Sequence, residues 1–227
     1  MRNIALILAS GTGSRCGTDI PKQFLKIEDK MILEYSIETF EQNELISDII
    51  VVTSKEYFDT VSELIPKYKK FSKVVVGGAT RKDSSYNGIF SIDGNDGNVL
   101  IHDAARPLIT SRIITDCING LNMYNAVCTA IISTDTVFIC DKDKNIDNIP
   151  IRKNVYRAQT PQCFKLSVIK TAHQKALLDK NCSVTDDCGL VVNYINEKIH
   201  IIEGSEDNIK VTYQNDIEFV KSKLQQK

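Results

Sequence analysis

Short apolar runs alternate along the chain with longer stretches in which apolar residues recur every three or four positions. The continuous runs lie at 4–8, 49–52, 74–76, 99–101 and 126–132. Runs of this length, rich in Ile, Val and Leu, predict strands that are buried on both faces. We therefore expect five strands, of which those at 4–8 and 49–52 are buried.

The segments with helical spacing lie between these runs and after them. They predict helices at 32–40, 61–65, 84–92, 110–121, 166–178, after 185, and at 215–224, and two further short strands are expected at 199–202 and 209–212. Strands that alternate with helices predict an α/β fold, a Rossmann-like, mostly parallel sheet covered by helices. Ligands of such sheets bind beyond the carboxyl ends of the strands, where the first glycine loop, 77–78 and 102–103 are expected to converge.

The alternation is interrupted between 133 and 159. A charged stretch at 141–145 separates the apolar residues 136–139 from 149–151. This pattern predicts a protruding β-hairpin arm at about 134–159. The arm is either a surface hairpin or a segment that packs on a second subunit. Because no linker or repeat divides the chain, we expect residues 1–227 to form a single domain.

Composition excludes several classes of partner. Lys plus Arg number 28 and Asp plus Glu 29, so the net charge of −1 argues against a general electrostatic grip on nucleic acid. No apolar run approaches the ~20 residues of a membrane helix, and no membrane partner is expected. The seven cysteines contain no C-x-x-C pair, and with three scattered histidines they form no zinc-binding spacing. Free thiols and a cytoplasmic location are therefore expected.

The loop after the first strand carries the first candidate chemistry. Its glycines allow backbone N–H groups to approach an anion, and Arg15 and Lys22 add two cations. The third glycine of a dinucleotide fingerprint is replaced by Cys16, and Gly-Lys-Ser/Thr of a phosphate loop is absent. An NAD(P)-dependent oxidoreductase would also need an acid after the second strand, where 53–55 reads Thr-Ser-Lys. That class remains a remote alternative.

Five segments carry a resemblance to a known family. They are Gly-x-Gly-x-Arg at 11–15 with Pro-Lys-Gln-Phe at 21–24, His-Asp-Ala-Ala-Arg-Pro at 102–107, Gln-Thr-Pro-Gln-x-Phe at 159–164, Thr-Asp-Asp at 185–187 and Asp-Asn-Ile-Lys-Val-Thr at 207–212. In this order they resemble the 2-C-methyl-D-erythritol 4-phosphate cytidylyltransferases and span nearly the whole chain. The ribitol-5-phosphate cytidylyltransferases share most of this frame.

The resemblance implies a nucleotidyltransferase that moves CMP from CTP to a polyol phosphate and releases pyrophosphate. It further implies Mg²⁺ as cofactor, a homodimer formed through the arm, and a step of isoprenoid precursor synthesis. The arm residues 149–152 and Tyr156 are closer to the ribitol-phosphate relatives, which make CDP-ribitol for cell-surface polymers. Ala104, Ala105 and 185–187 are closer to the methylerythritol enzymes, which we favour.

The same resemblance implies roles for individual residues. Catalytic roles, on the CTP phosphates or the acceptor phosphate, fall to Arg15, Lys22 and Lys210. Nucleotide contacts fall to Ala9, Ser10, Gly11, Gly13, Gly78, Ala79, Ser84 and Ala104. Acceptor contacts fall to Asp103, Arg106, Thr136, Arg152, Thr160 and Thr185. Asp103 is also the acid that would hold Mg²⁺ through water. Thr136 and Arg152, in the arm, would reach the pocket of the partner subunit.

The implied reaction is consistent with this residue set. A phosphate monoester is already anionic near neutral pH, so its attack on the α-phosphorus of CTP needs no general base. Cations, backbone N–H groups and Mg²⁺ stabilise the charge that develops at phosphorus. Plain structural interpretations remain open for several residues: Ser84 and Thr185 as helix caps, Asp103 with Arg106 as an ion pair, and Arg152 and Lys210 as solvated charges. A catalytically dead relative would most easily show the loss of a basic residue, and Arg15, Lys22 and Lys210 are all present.

Overall fold

Eleven strands and seven helices are present in the computed structural model, which describes residues 1–11 and 20–225. The strands are β1 (Asn3–Ala9), β2 (Lys26–Ile27), β3 (Lys30–Met31), β4 (Asp48–Thr53), β5 (Phe71–Val76), β6 (Asn98–Asp103), β7 (Ala126–Ile132), β8 (Ile139–Cys140), β9 (Ile146–Asn148), β10 (Tyr156–Lys165) and β11 (His200–Glu203). The helices are α1 (Ile32–Gln42), α2 (Phe58–Ser62), α3 (Arg81–Phe90), α4 (Ser111–Gly120), α5 (Leu166–Leu177), α6 (Asp187–Ile195) and α7 (Gln214–Leu224). Gly13, Arg15 and Cys16 lie outside the described residues.

Seven of the strands form one sheet in the order β11-β7-β10-β6-β1-β4-β5. Every residue of β1 is buried, and Leu6 pairs in parallel register with Ile50 of β4 and Ile101 of β6. Strands β4 and β5 are also parallel, as are β7 and β11. Only β10 runs antiparallel to its neighbours in this sheet. The predicted mostly parallel α/β sheet is therefore confirmed.

Helices cover both faces of this sheet. On one face, α1 and α4 pack through residues such as Phe40 and Ile113. On the other face, α3, α5 and α6 contribute Ile89, Ile169 and Leu190. Each helix presents an apolar stripe to strands that are apolar on both sides, which explains why the strand sequences are continuous rather than alternating. A smaller cluster lies beneath α7.

The arm is a hairpin whose two short strands, β8 and β9, pair antiparallel. Because β10 begins at Tyr156, the last four residues of the predicted arm, 156–159, belong to the central sheet. The strand predicted at 209–212 is wrong, since this segment has no strand pairing. The backbone N–H of Val211 instead donates to the carbonyl of Ala105 at 2.8 Å, which ties this segment to the loop after β6.

The cysteines in the described ranges, Cys117, Cys128, Cys140, Cys163, Cys182 and Cys188, are free thiols. In the same ranges, none of the helices combines the length and the hydrophobicity that a membrane span requires.

Candidate active site

A cavity of about 340 Å³ lies at the carboxyl ends of β1, β5 and β6. Its lining residues are Leu8, Ser10, Gly11, Lys22, Gln23, Gly78, Ala79, Thr80, Arg81, Ser84, Asp103, Ala105 and Lys210. The three parallel strands end at the same edge of the sheet, so the loops that follow them meet there. The convergence expected from the sequence is confirmed, and the volume is typical of a small-molecule site.

Lys22 occupies a short 3₁₀ turn, Lys22–Phe24, and only 9% of it is exposed. The next residue, Gln23, donates through Nε2 to the carbonyls of Ala9 and Gly11, each at 2.7 Å. Phe24 stacks on Tyr57 with ring centroids 4.1 Å apart. The turn that carries Lys22 is therefore fixed to the glycine loop on one side and to the core on the other. The sequence motif contained Gln23, but its positioning role was not predicted.

Ser84 closes the wall of the cavity opposite the glycine loop. Its hydroxyl accepts from the Ser10 hydroxyl at 2.7 Å and from the Gly78 N–H at 3.1 Å, and it donates to the Thr80 carbonyl at 2.9 Å. The alternative in which Ser84 caps a helix is wrong, because Thr80 is the N-cap of α3 and accepts from the Asp83 N–H at 3.1 Å.

Gly77 is required by the close approach of these two walls. A Cβ at this position would lie 2.7 Å from the Cβ of Ser10 and 2.8 Å from the hydroxyl of Ser84. Any side chain here would therefore push the glycine loop away from α3.

Asp103 is the acid of the cavity, and two cations hold it. Arg81 donates from Nε to Oδ1 at 3.2 Å, and Lys210 donates from Nζ to Oδ2 at 2.6 Å. Burial alone would raise the pKa of Asp103, but the charges of Arg81 and Lys210 outweigh burial and hold that pKa well below its usual range. Lys210 is therefore paired within the site rather than a solvated charge. Arg81 was not predicted, although it lies between Gly78 and Ser84, to which the resemblance assigns nucleotide contacts.

The alternative in which Arg106 forms an ion pair with Asp103 is wrong. Its Nη1 donates to the Asn208 carbonyl at 2.7 Å and its Nη2 to the Ala158 carbonyl at 3.4 Å. Burial lowers the pKa of Arg106. The guanidinium thus joins the loop after β6 to β10 and to the segment that carries Lys210, and it does not line the cavity.

The remaining predicted residues fall into two groups. Ala9 and Ala104 are buried beside the cavity, and the backbone N–H of Ala104 donates to the Leu8 carbonyl at 3.0 Å. Thr136, Arg152 and Thr185 are exposed and do not line it. The alternative in which Thr185 caps a helix is wrong, because α6 is capped by the next residue, Asp186.

Three hydrogen bonds connect Asp103 to the core below it. The Asp103 N–H donates to the Thr160 hydroxyl at 3.1 Å, and this hydroxyl lies 3.1 Å from Nδ1 of His102. The opposite ring nitrogen, Nε2, lies 3.1 Å from the Arg106 carbonyl. A neutral ring protonated on Nε2 satisfies the whole chain, since Thr160 then donates to Nδ1 and His102 donates to the carbonyl.

His102 should make stability depend on pH. Burial lowers its pKa to about 4 in the fold, whereas an unfolded histidine titrates near 6.5. The unfolded chain therefore binds a proton that the fold excludes as pH falls from 6.5 to 4, and stability is lost over that range. We expect the free energy of unfolding to drop by about 2 kcal/mol between pH 7.5 and pH 5.

Urea unfolding at the two pH values measures this term. His102→Gln should remove it, and His200→Gln, a change at an exposed ring stacked on Tyr124, should retain it. An equal pH dependence in wild type and His102→Gln would contradict the prediction.

Charge makes the cavity suited to anions. The charged residues in the described lining are three cations, Lys22, Arg81 and Lys210, and one carboxylate, Asp103. No group of three or more His, Cys, Asp or Glu side chains in the described ranges is arranged to hold a metal ion. The described lining offers one carboxylate, that of Asp103.

Comparisons with known proteins show which family the chain resembles over nearly its full length. The sequence model of the family described as 2-C-methyl-D-erythritol 4-phosphate cytidylyltransferase (IspD) matches residues 3–226. A Clostridium botulinum protein of that name is 39% identical over 218 residues, covering 95% of this chain and 94% of that protein. The crystal structure of 4-diphosphocytidyl-2C-methyl-D-erythritol synthase from Anaerococcus prevotii superposes with a TM-score of 0.88 at 33% identity, covering 99% and 98% of the two chains.

A bifunctional relative is also similar. The Haemophilus influenzae ribulose 5-phosphate reductase/CDP-ribitol pyrophosphorylase Bcs1 is 37% identical over 229 residues. This match covers 98% of the present chain but 48% of that protein.

Proposed function

Because the chain belongs to the 2-C-methyl-D-erythritol 4-phosphate cytidylyltransferase family, we propose that it transfers CMP from CTP to 2-C-methyl-D-erythritol 4-phosphate. The products are a CDP-polyol, used in isoprenoid precursor synthesis, and pyrophosphate. In this proposal residues 1–227 act as one nucleotidyltransferase domain. The free thiols of the described cysteines are consistent with a cytoplasmic location.

One observation carries the proposal. Residues from the glycine loop, the Pro-Lys-Gln-Phe segment, the 78–84 segment, the loop after β6 and the 207–212 segment line a single cationic cavity. These segments are far apart in the sequence, and four of them belong to the motifs of the resemblance. A cavity with three cations and one acid is what the approach of two phosphate groups requires.

The proposed roles divide between the two sides of this cavity. On the first side, Lys22 holds the CTP phosphates and stabilises the charge on the transferred phosphorus, and Ser10 and Gly11 supply loop contacts. The resemblance assigns the same tasks to Arg15 and Gly13. Gly78, Ala79 and Ser84 contact the cytosine, and Ala9 and Ala104 contribute backbone to the nucleotide. This pocket excludes larger purine bases by its size and by its hydrogen bonds to the base edge.

The acceptor lies on the second side. Lys210 holds its phosphate, and Asp103 contacts its polar groups. Thr160 supports Asp103 from below, through the hydrogen bond that its hydroxyl accepts from the Asp103 N–H. Thr185 lies outside the cavity, so the acceptor contact expected for it is not part of this proposal. Arg106 supports this region through its bonds to two backbone carbonyls. The phosphate oxygen attacks the α-phosphorus, the bond to the bridging oxygen breaks, and pyrophosphate leaves with that electron pair. No protein base is needed, because the attacking phosphate is already ionised.

Mg²⁺ is proposed as the cofactor, with Asp103 as the protein group that would hold it. When bound, Mg²⁺ neutralises phosphate charge and helps the pyrophosphate to leave. Both oxygens of Asp103 are paired with cations, so this carboxylate would reach the ion through water rather than directly.

A homodimer formed through the arm completes the proposal. Phe138, Ile149 and Ile151 expose 52%, 54% and 64% of their surfaces on the arm, an apolar group of the kind that subunit contacts cover. Thr136 and Arg152 lie on the same exposed segment and not in the cavity of their own chain. They would therefore contact the acceptor in the partner's site.

Ribitol 5-phosphate is the alternative acceptor, favoured by the arm sequence and by the similarity to the Haemophilus influenzae protein. Pyrophosphate release with CTP and Mg²⁺ should be measured against methylerythritol, ribitol, ribulose and xylulose phosphates. We expect methylerythritol 4-phosphate to give the highest kcat/KM, and CTP to exceed ATP and UTP by at least about tenfold. A higher kcat/KM for ribitol 5-phosphate would instead support the function of a ribitol-5-phosphate cytidylyltransferase. Equal rates with the three nucleotides would refute cytosine recognition.

A further inference from the structure

Arg81 connects the cavity to a second carboxylate that lies behind it. This arginine is the first residue of α3 and lines the cavity. Its Nε donates to Asp103, and its Nη1 donates to Oδ2 of Asp187 at 2.7 Å. One planar guanidinium thus spans two acids, one at the end of β6 and one at the start of α6, a geometry that a lysine ammonium cannot reproduce.

Asp187 is a buried anchor for this arginine. Its side chain is only 1% exposed. The Ser85 hydroxyl donates to its Oδ1 at 2.5 Å, and His173 Nε2 lies 3.5 Å from the same oxygen. Burial alone would raise the pKa of Asp187, but Arg81, His173 and Ser85 outweigh burial and lower it, so the carboxylate stays charged.

The backbone around Asp187 is fixed as well. Gln162 accepts through Oε1 from the N–H groups of Asp187 and Cys188, at 3.1 and 3.2 Å. Its Nε2 donates to the helix cap Asp186 at 2.7 Å. The start of α6 is therefore tied to β10. Burial of the Asp187 carboxylate costs desolvation free energy, and its ion-pair partner, Arg81, lines the cavity.

The anchored Arg81 fixes the orientation of the Asp103 carboxylate. Arg81 engages Oδ1 and leaves Oδ2 to Lys210, so the plane of the carboxylate is set from behind. Without Arg81, both oxygens would be able to turn to Lys210. The full negative charge would then hold this ammonium against Asp103 and away from a phosphate.

We propose that Arg81, anchored by Asp187, is a positioning residue that orients Asp103 and so sets where Lys210 meets the acceptor phosphate. This inference rests on the proposed role of Lys210. It assigns to the segment 78–84 a task beyond cytosine recognition. It also gives the buried Asp187, which does not line the cavity, an influence on acceptor use.

Two variants test the inference. Arg81→Lys keeps a positive charge at a partly exposed side chain but loses the two-acid bridge, and Asp187→Asn keeps the shape but removes the anchoring charge. In both we expect kcat/KM for the acceptor to fall by roughly 10- to 100-fold. The dissociation constant of CTP, measured calorimetrically without acceptor, should stay within about twofold, because the Ser84 and Thr80 contacts do not involve either residue.

Matched variants separate this inference from the proposed function. Arg2→Lys changes a surface arginine whose Nε lies 2.9 Å from Asp48, and it should leave both constants unchanged. Lys210→Gln should abolish most turnover. If Lys210→Gln is impaired while Arg81→Lys and Asp187→Asn match wild type, the positioning role alone is refuted. Wild-type turnover in Lys210→Gln would refute the assigned role of Lys210 and the inference with it. An equal loss of CTP affinity and acceptor use would show a general structural role and would also overturn the inference.

Discussion

Replacing Lys22 with glutamine is expected to lower kcat by roughly 100- to 1,000-fold, the loss typical when a group that stabilises transition-state charge is removed. Lys22 is nearly buried in the cavity wall beside the glycine loop, where few competing waters screen its charge. A positive group in such a position gains most when the phosphorus carries its greatest negative charge. The effect should therefore appear in kcat and not only in the KM for CTP.

The fold of this variant should be intact. Gln23 and Phe24 hold the turn through contacts that do not use the lysine side chain. Thermal unfolding should therefore shift little, and pyrophosphate release at saturating CTP and acceptor measures the loss. Lys26→Gln, four residues along the chain at an exposed position of β2, is the matched control and should keep wild-type turnover. Turnover close to wild type in Lys22→Gln would remove this residue from the catalytic group.

The central strands could be predicted because burial on both faces requires continuous apolar residues. The run at 4–8 reads as a strand and is one, β1, with every residue buried. Strand β10 was not predicted, because it contains Arg157, two glutamines and Pro161. The glutamines Gln159 and Gln162 are buried in it because their amides bond to the loops at 186–188 and 205–208. Such partners are distant in sequence, and no local pattern reveals them.

The candidate site, like the strands, was predicted only in part. The resemblance to the family predicted Lys22, Asp103 and Lys210, which the structure brings together in one cavity. It did not predict which cation pairs with Asp103. The structural alternative paired Asp103 with Arg106, whereas the fold supplies Arg81 from the start of α3 and Lys210 from the 207–212 segment. These partners are distant in sequence and meet only because the segments converge at one edge of the sheet.

The second large effect is expected for the arm, because Thr136 and Arg152, its two proposed acceptor-binding residues, do not line the cavity of their own chain. Arg152 is exposed, and the hydrogen bond that its Nη1 donates to the Thr134 carbonyl at 3.4 Å stays within the arm. If this guanidinium acts on an acceptor phosphate, the site that it serves belongs to another subunit. Arg152→Ala should then raise the acceptor KM by roughly tenfold or more, with the affinity for CTP unchanged. Lys153→Ala, the adjacent exposed residue, is the matched control.

Mixing two defective variants distinguishes a shared site from a self-contained one. Lys22→Gln impairs the nucleotide side of a site, and Arg152→Ala impairs the acceptor side. In a heterodimer with shared sites, one site receives both defects and the other receives neither. Random exchange of subunits makes half of the dimers heterodimers, so co-refolded chains should recover about a quarter of wild-type activity. If each chain formed its whole site alone, every site would keep one defect. The mixture would then show only the average of the two variants, and the proposed exchange of arms would be rejected.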